Sequence, residues 1–197
     1  MDWLIRVYNR AYQQLVLPFL ESYDPPARVA LGASIGIFLG LTPTMGIQMY
    51  LVSMVWILCR YLLRVRFNLT IGVALVWVSN PITVVPIYFT FLITGQYFQV
   101  WTGGDVIPVS YGAFQTEMLR LMAGSEVPWY QWIYYATEVL ILEYGWPMLL
   151  GSMIFAVPIS LFTYPFTYAM IRHYRRILAE SQGFTYAQWR ERFELKD

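Results

Sequence analysis

Three long segments of the chain lack charged residues, and they set the expected architecture. These uncharged segments cover residues 29–59, 67–104 and 144–171. A helix that crosses a bilayer needs about 20 mostly apolar residues, and each segment is longer than that. A buried core could account for one such segment but hardly for three in a chain of 197 residues. The pattern therefore predicts an all-α integral membrane protein.

Each of the first two segments is interrupted by a polar stretch that contains proline. The first stretch is GLTPTMGIQ, residues 40–48, and the second is VSNPITVVP, residues 78–86. A threonine or asparagine directly before proline is typical of a helix start. Each stretch, called a break below, therefore predicts the end of one helix and the start of another. Such repetition resembles the internal repeats of many membrane transport proteins.

The two halves of the first segment are too short to cross a bilayer separately. Residues 30–41 and 47–59 would form helices of about 18–20 Å, against about 30 Å of hydrocarbon. Arg28 precedes this segment, and three further arginines follow it between residues 60 and 66. Because basic residues favour the cytoplasmic side, the first segment is predicted to be a re-entrant hairpin. The second segment is predicted to be a broken crossing or a hairpin.

The other regions complete the predicted architecture. Residues 1–23 carry an apolar stripe, which predicts an amphipathic helix in the membrane interface or one packed on the protein. Residues 24–172 are the predicted membrane domain, and within it residues 105–143 are predicted to be a polar, interfacial segment outside the cytoplasm because they include one basic residue. The third uncharged segment, which contains three prolines, is predicted to be a bent transmembrane helix. Residues 173–197 would then be a cytoplasmic tail.

Three glycines share one face of the first predicted helix. Gly32, Gly36 and Gly40 are spaced four residues apart. Small residues at this spacing let a second helix approach closely in a membrane. We therefore predict that this face packs against another helix, either of the same chain or of another subunit.

Composition narrows the possible functions. A net charge of +1 gives no reason to expect a nucleic-acid partner. The one histidine, His173, has no Cys, Asp or Glu at metal-ligand spacing, so we expect neither a metal nor another cofactor. The uncharged segments contain no acidic or basic residue for a proton relay, and the chain contains no G-x-S-x-G motif. No catalytic residue is predicted, and the protein is not expected to be an enzyme.

The neutral polar residues of the two breaks are the candidate binding site. Helix starts expose unpaired N–H groups and carry a partial positive charge, so two starts that meet near mid-membrane would bind an anion. Arg28 and Arg60 would gather the anionic headgroup at the cytoplasmic surface. The alternative is that the polar residues only cap broken helices. The candidate binding residues are Thr42, Pro43, Thr44, Gly46, Gln48, Ser79, Asn80, Pro81 and Thr83.

The two breaks also carry a pair of motifs in a fixed order. G-x-x-P-x-x-G-x-Q falls on residues 40–48, and S-N-P-x-T-x-x-P-x-Y falls on residues 79–88. Over about residues 24–172 the chain resembles the bacterial membrane family catalogued as domain of unknown function 2062. The resemblance implies a membrane location and an important role for the breaks, and it implies no particular activity.

These features lead to a functional hypothesis with one rival. We expect a protein of the bacterial inner membrane, with both termini in the cytoplasm, that binds and translocates an anionic lipid headgroup or a similar phosphate-bearing substrate. Its partners would be membrane lipids, and it could form a homo-oligomer or part of a larger complex. The alternative is a non-catalytic accessory or assembly subunit, whose aromatic residues, 18% of the chain, and glycine face would contact other membrane proteins.

Overall fold

The computed structural model describes residues 22–194, except for residues 45, 81, 105–107, 124–127 and most of 129–143. The predicted N-terminal amphipathic helix, residues 1–23, lies almost entirely outside the described residues. The described part contains seven helices and no strand, which confirms the predicted all-α fold for this part. The helices are α1 (Pro26–Gly40), α2 (Gln48–Tyr61), α3 (Leu69–Val76), α4 (Val84–Trp101), α5 (Tyr111–Met122), α6 (Gly145–Ser181) and α7 (Tyr186–Phe193).

The described residues divide into two compact units. The first unit lies within Met1–Gly36, Val52–Ala74 and Ser160–Asp197, and the second lies within Ile37–Leu51 and Leu75–Ile159. Each unit is assembled from segments that are far apart in the sequence. Folding of either unit therefore depends on long-range packing between helices.

The first uncharged segment forms two short helices, α1 and α2, as predicted. At about 1.5 Å per residue they are roughly 22 and 21 Å long. The helix start expected at Pro43 was wrong, because α2 begins only at Gln48. Thr42 instead closes α1, since its hydroxyl donates to the carbonyl oxygen of Leu39 over 2.7 Å. Gly46 then adopts a φ of 87°, a left-handed conformation that favours glycine.

In the first unit, α1 packs against α3 through the predicted glycine face. A Cβ atom on Gly32 would overlap the carbonyl oxygen of Asn68, and one on Gly36 would overlap that of Gly72. Both contacts join residues 36 positions apart, so α1 and α3 run parallel. In the second unit Gly40 meets the backbone of Val76. The small residues allow backbone-to-backbone contact that any larger side chain would prevent.

The helix α2 runs antiparallel to α3 in the first unit. Val52 lies against Gly72, and the indole N–H of Trp56 donates to the carbonyl oxygen of Phe67 over 3.1 Å. Residue numbers therefore rise along α2 as they fall along α3. Since α1 is parallel to α3, α1 and α2 form a helical hairpin with the first break at its tip.

The core of the second unit is built around α4. Residues Phe91 and Gly95 of α4 contact Gly151 and Pro147 of α6 so closely that a Cβ on either glycine would overlap the opposing backbone. These pairs make α4 and α6 antiparallel. The helix α5 packs on the same core through three buried side chains, those of Phe114, Met118 and Leu121.

The longest helix, α6, continues through all three prolines of the third uncharged segment. It extends from Gly145 to Ser181, which is about 55 Å, and so reaches into the predicted tail. Within the described part of the chain it is the one helix that is both long and apolar enough to cross a membrane. Only 22% of its apolar window is buried inside the protein.

Candidate functional site

Polar side chains from both breaks meet in the second unit. The side-chain amide of Gln48, the first residue of α2, donates to the hydroxyl of Ser79 over 2.9 Å. Ser79 in turn donates to the carbonyl oxygen of Gly40, the last residue of α1, over 2.7 Å. Gln48 and Ser79 are only 6% and 8% exposed. The two breaks are therefore joined by buried hydrogen bonds between neutral groups.

Tyr88 completes this arrangement from α4. Its hydroxyl donates to the carbonyl oxygen of Thr42 over 3.1 Å, and the amide of Gln48 lies 3.5 Å from the same hydroxyl. Tyr88 is fully buried. The side chains of Gln48, Ser79 and Tyr88, together with the carbonyl groups of Gly40 and Thr42, are called the break network below. Because burial makes an unpaired polar group costly, each member depends on the others.

Two threonines extend the network along the first break. The hydroxyls of Thr42 and Thr44 lie 3.0 Å apart. Since the proton of the Thr42 hydroxyl is directed to Leu39, the hydroxyl of Thr44 is the donor of this pair. The backbone N–H of Thr44 also donates to the carbonyl oxygen of Thr42, over 2.8 Å. This carbonyl thus accepts from both Thr44 and Tyr88.

The second break contains a hydrogen-bonded turn, and α4 begins only at Val84, so the helix start expected directly after Asn80 was wrong. The side-chain oxygen of Asn80 accepts from the backbone N–H groups of Ile82 and Thr83, over 2.9 and 3.1 Å. The hydroxyl of Thr83 accepts from the N–H of Asn80 over 3.0 Å and donates to the carbonyl oxygen of Val78 over 2.8 Å. The N–H of Val84, the first residue of α4, donates to the carbonyl oxygen of Asn80 over 2.8 Å. Asn80 therefore holds the turn before α4, and Thr83 occupies the N-cap position without a side-chain cap hydrogen bond.

The structure thus divides the predicted binding residues into groups. Thr42, Thr44, Gln48 and Ser79 come together, whereas Asn80 and Thr83 form the adjacent turn before α4. Gly46 is exposed, Pro43 is half-buried, and Pro81 lies outside the described residues. Sequence reasoning did not include Tyr88 among the site residues, although it ends the second motif. An aromatic residue in an apolar helix gives no sign from sequence alone that its hydroxyl turns towards a break.

A second polar feature, the arginine cavity, lies in the first unit. It has a volume of about 270 Å³. Its wall contains both predicted headgroup-gathering residues, Arg28 and Arg60, together with a third cation, Arg66. The lining residues are Asp24, Arg28, Trp56, Arg60, Arg66, Phe67, Asn68, Leu69 and Thr70. Arginines therefore outnumber acidic residues among the residues that line it.

Hydrogen bonds hold the wall of the arginine cavity in place. Asn68 donates its side-chain amide to the carboxylate of Asp24 over 2.6 Å and caps α3 by accepting from the N–H of Ile71 over 3.0 Å. Its backbone N–H donates to the carbonyl oxygen of Arg28 over 3.1 Å. The guanidinium of Arg60 lies 4.9 Å from the ring centre of Trp56, within the range of a cation–π interaction.

These observations define a class of protein: its described residues are all-helical, with two broken helical elements whose breaks share a buried polar network. In the described part of the chain, no group of three or more His, Cys, Asp or Glu residues is placed to hold a metal ion. Residues 9–179 match the family described as "Uncharacterized protein conserved in bacteria (DUF2062)", and the chain belongs to that family. This confirms the resemblance seen in the two motifs. No curated protein and no solved structure matches the chain.

Proposed function

We propose that the protein is an integral protein of the bacterial inner membrane that binds an anionic lipid headgroup and translocates it through the break network. The observation that carries this proposal is the burial of neutral donors from two separate breaks in one cluster. Irregular backbone at membrane depth is tolerated where protein or a wet cavity surrounds it. Two breaks that share one polar cluster therefore suit a passage for a polar group.

The exposed apolar surface supports the membrane part of the proposal. The core helix of a soluble protein is mostly buried, whereas most of the apolar window of α6 is not. Large apolar side chains are also exposed along α2, including Met54, Ile57 and Leu58. Contiguous apolar surface of this kind is typical of contact with lipid or with other membrane proteins. In this proposal α1 and α2 form a re-entrant hairpin, and both termini are cytoplasmic.

The chemistry of the break network suits transient binding of a phosphate group. Gln48, Ser79 and Tyr88 each carry a proton donor that now serves a partner inside the protein. A phosphate oxygen can accept from these donors in place of the internal partners. Neutral donors bind an anion less tightly than buried arginines would, so the headgroup is also released. The start of α4 adds a partial positive charge, and the transfer needs no covalent step.

Reconstitution into liposomes tests this function directly. A fluorescent lipid with a phosphate headgroup is placed in the membrane, and its exposure on each leaflet is followed by quenching. We expect Gln48→Ala and Tyr88→Phe to reduce translocation at least tenfold, because each removes one donor of the break network. Matched controls are Thr90→Ala and Tyr50→Phe, which remove hydroxyls from exposed positions of α4 and α2. Normal translocation by both network variants would overturn the proposal.

The rival function, that of an accessory subunit, makes a different prediction about partners. The same exposed apolar surfaces would then contact other proteins of a membrane complex. Purification in a mild detergent, followed by mass spectrometry of co-purifying lipids and proteins, distinguishes the accessory function from lipid translocation. Recovery of a stoichiometric protein partner, together with liposomes that show no translocation, would favour the accessory role.

A further inference from the structure

We propose that the arginine cavity is a binding site for a phosphomonoester group, with Arg28, Arg60 and Arg66 as its charged ligands. This inference rests on the proposed function, since it assigns the headgroup class that enters the protein. It adds Arg66 to the two arginines expected from the sequence. It also places the three cations around one cavity of defined size.

The arginines of the cavity attract a dianion more strongly than a monoanion. Arg28, Arg60 and Arg66 line it together with one aspartate, Asp24. A phosphomonoester carries about −1.5 to −2 at neutral pH, whereas a phosphodiester headgroup such as phosphatidylglycerol carries a single negative charge. The electrostatic attraction to the same three arginines is therefore stronger for the monoester.

The helix starts around the cavity add to the positive potential. Arg28 lies in the first turn of α1, and Leu69 and Thr70 begin α3. Because the two helices run parallel and the N–H of Asn68 bonds to Arg28, these starts lie side by side. Each helix start contributes a partial positive charge of about half a unit. The potential from the backbone thus has the same sign as that from the arginines.

The size and exposure of the cavity fit a headgroup that arrives from solvent or from a bilayer surface. A volume of about 270 Å³ corresponds to roughly nine water molecules at about 30 Å³ each, which is room for a phosphate group and some water. Arg60 and Arg66 are exposed at its mouth. Arginine is suited to this role because its planar guanidinium binds phosphate oxygens in pairs.

The chain provides a matched control for the general effect of removing one positive charge from this surface. Arg64 belongs to the same loop as Arg66 and is also exposed, but it does not line the cavity. Removing either charge changes the general attraction of this surface for anions to a similar extent. Only the removal of Arg66 takes a ligand from the cavity. The comparison between Arg66→Gln and Arg64→Gln therefore separates a site from a diffuse basic surface.

Binding is measured on the full-length protein with two kinds of probe. Nanodiscs of phosphatidylcholine that contain either phosphatidic acid or phosphatidylglycerol report lipid binding by native mass spectrometry. Titration with inorganic phosphate reports binding of the free ion. We expect phosphatidic acid to bind at least tenfold more tightly than phosphatidylglycerol. Arg66→Gln should weaken phosphatidic acid binding about tenfold, as for the loss of a charge-assisted hydrogen bond, while Arg64→Gln should change it less than threefold.

The outcomes distinguish this inference from the proposed function. Equal losses in the two arginine variants, or equal affinity for the two lipids, would overturn the phosphomonoester site even if translocation continues. Tight phosphate binding without any translocation would leave the site standing and remove the proposed function. Binding of inorganic phosphate as tight as that of phosphatidic acid would support the site and identify the free ion as its ligand. Gln48→Ala should retain binding at the arginine cavity, because Gln48 belongs to the break network.

Discussion

The side-chain amide of Gln48 lies 2.9 Å from the hydroxyl of Ser79, which ties the start of α2 to the break that follows α3. The same serine bonds the end of α1 through Gly40. One hydroxyl therefore connects the end of one helix to the beginning of the next, across a break where the backbone ladder is interrupted. A change at either residue should affect the stability of the breaks and, under the function proposed above, translocation of the headgroup.

The Tyr88 hydroxyl should contribute measurably to stability. Tyr88→Phe keeps the ring but leaves the carbonyl oxygen of Thr42 with one partner fewer in a buried position. Because this carbonyl oxygen still accepts from the N–H of Thr44, we expect the free energy of unfolding to fall by about 0.5–1.5 kcal/mol, measured by thermal or denaturant unfolding in detergent. The control is Tyr50→Phe in α2. Tyr50 is 77% exposed, so this substitution should change the free energy of unfolding little. Equal effects of the two substitutions would contradict the buried role of Tyr88.

Asn80 should stabilise the turn before α4 through its side-chain oxygen. Asn80→Ala removes the acceptor from the N–H groups of Ile82 and Thr83, so we expect the free energy of unfolding to fall by about 1 kcal/mol. Asn80→Asp retains an oxygen in the same position and should restore most of the stability. The free energies of unfolding of the unchanged protein, Asn80→Ala and Asn80→Asp, measured under the same conditions, test this prediction. If aspartate were as destabilising as alanine, the side-chain NH2 group rather than the acceptor oxygen would be the important group.

The sequence predicted the breaks better than it predicted what the breaks contact. Proline, glycine and small polar residues inside apolar segments are local signals, so the positions of both breaks follow from the sequence. The bond between Gln48 and Ser79 joins residues 31 positions apart, and it depends on how α1, α2 and α3 pack. For the same reason the sequence did not reveal that the hydroxyl of Tyr88 donates to the carbonyl oxygen of Thr42. Local patterns identify polar residues but not their partners.

The arginines between residues 60 and 66 illustrate the same limit of prediction from the sequence. Arg60, Arg64 and Arg66 carry the same charge, and of these three only Arg60 was predicted from the sequence to gather the headgroup. In the structure Arg64 has a φ of 55°, a left-handed conformation uncommon outside glycine. The chain reverses there, and Arg60 and Arg66 line the cavity whereas Arg64 does not. The charge pattern of the sequence cannot distinguish these three arginines, whereas their positions in the structure differ.

The close packing of α1 on α3 should be sensitive to one methyl group. Gly36→Ala would place a Cβ atom against the backbone of Gly72, where no flexible side chain can move aside. We expect a loss of roughly 1–3 kcal/mol or more from overpacking, measured by unfolding and by the yield of folded protein. Gly112→Ala in α5 is the matched control, because no atom lies within 4 Å of its added Cβ. That control should be neutral or stabilising by about 0.5–1 kcal/mol.

Arg175 should hold the segment before α1 and the C-terminal helix α7 in place. Its side chain is fully buried, and its guanidinium donates to the carbonyl oxygens of Ser22 and Asp24. The same guanidinium lies 5.5 Å from the ring centre of Trp189 in α7. Arg175→Met keeps much of the volume but leaves both half-buried carbonyl groups without this donor, and we expect the free energy of unfolding to fall by about 1 kcal/mol for each lost bond.

Hydrogen exchange measured by mass spectrometry checks this role of Arg175. We expect faster exchange in the first turn of α1 and in α7 of the Arg175→Met protein, with no change in α5, which packs in the other unit. The matched control is Arg176→Met, which removes an exposed cation from the next position of α6. Faster exchange in both variants would mean that net charge, and not the buried contacts, stabilises this region. Since Asp24 lines the arginine cavity, Arg175→Met should also weaken phosphatidic acid binding, whereas Arg176→Met should not.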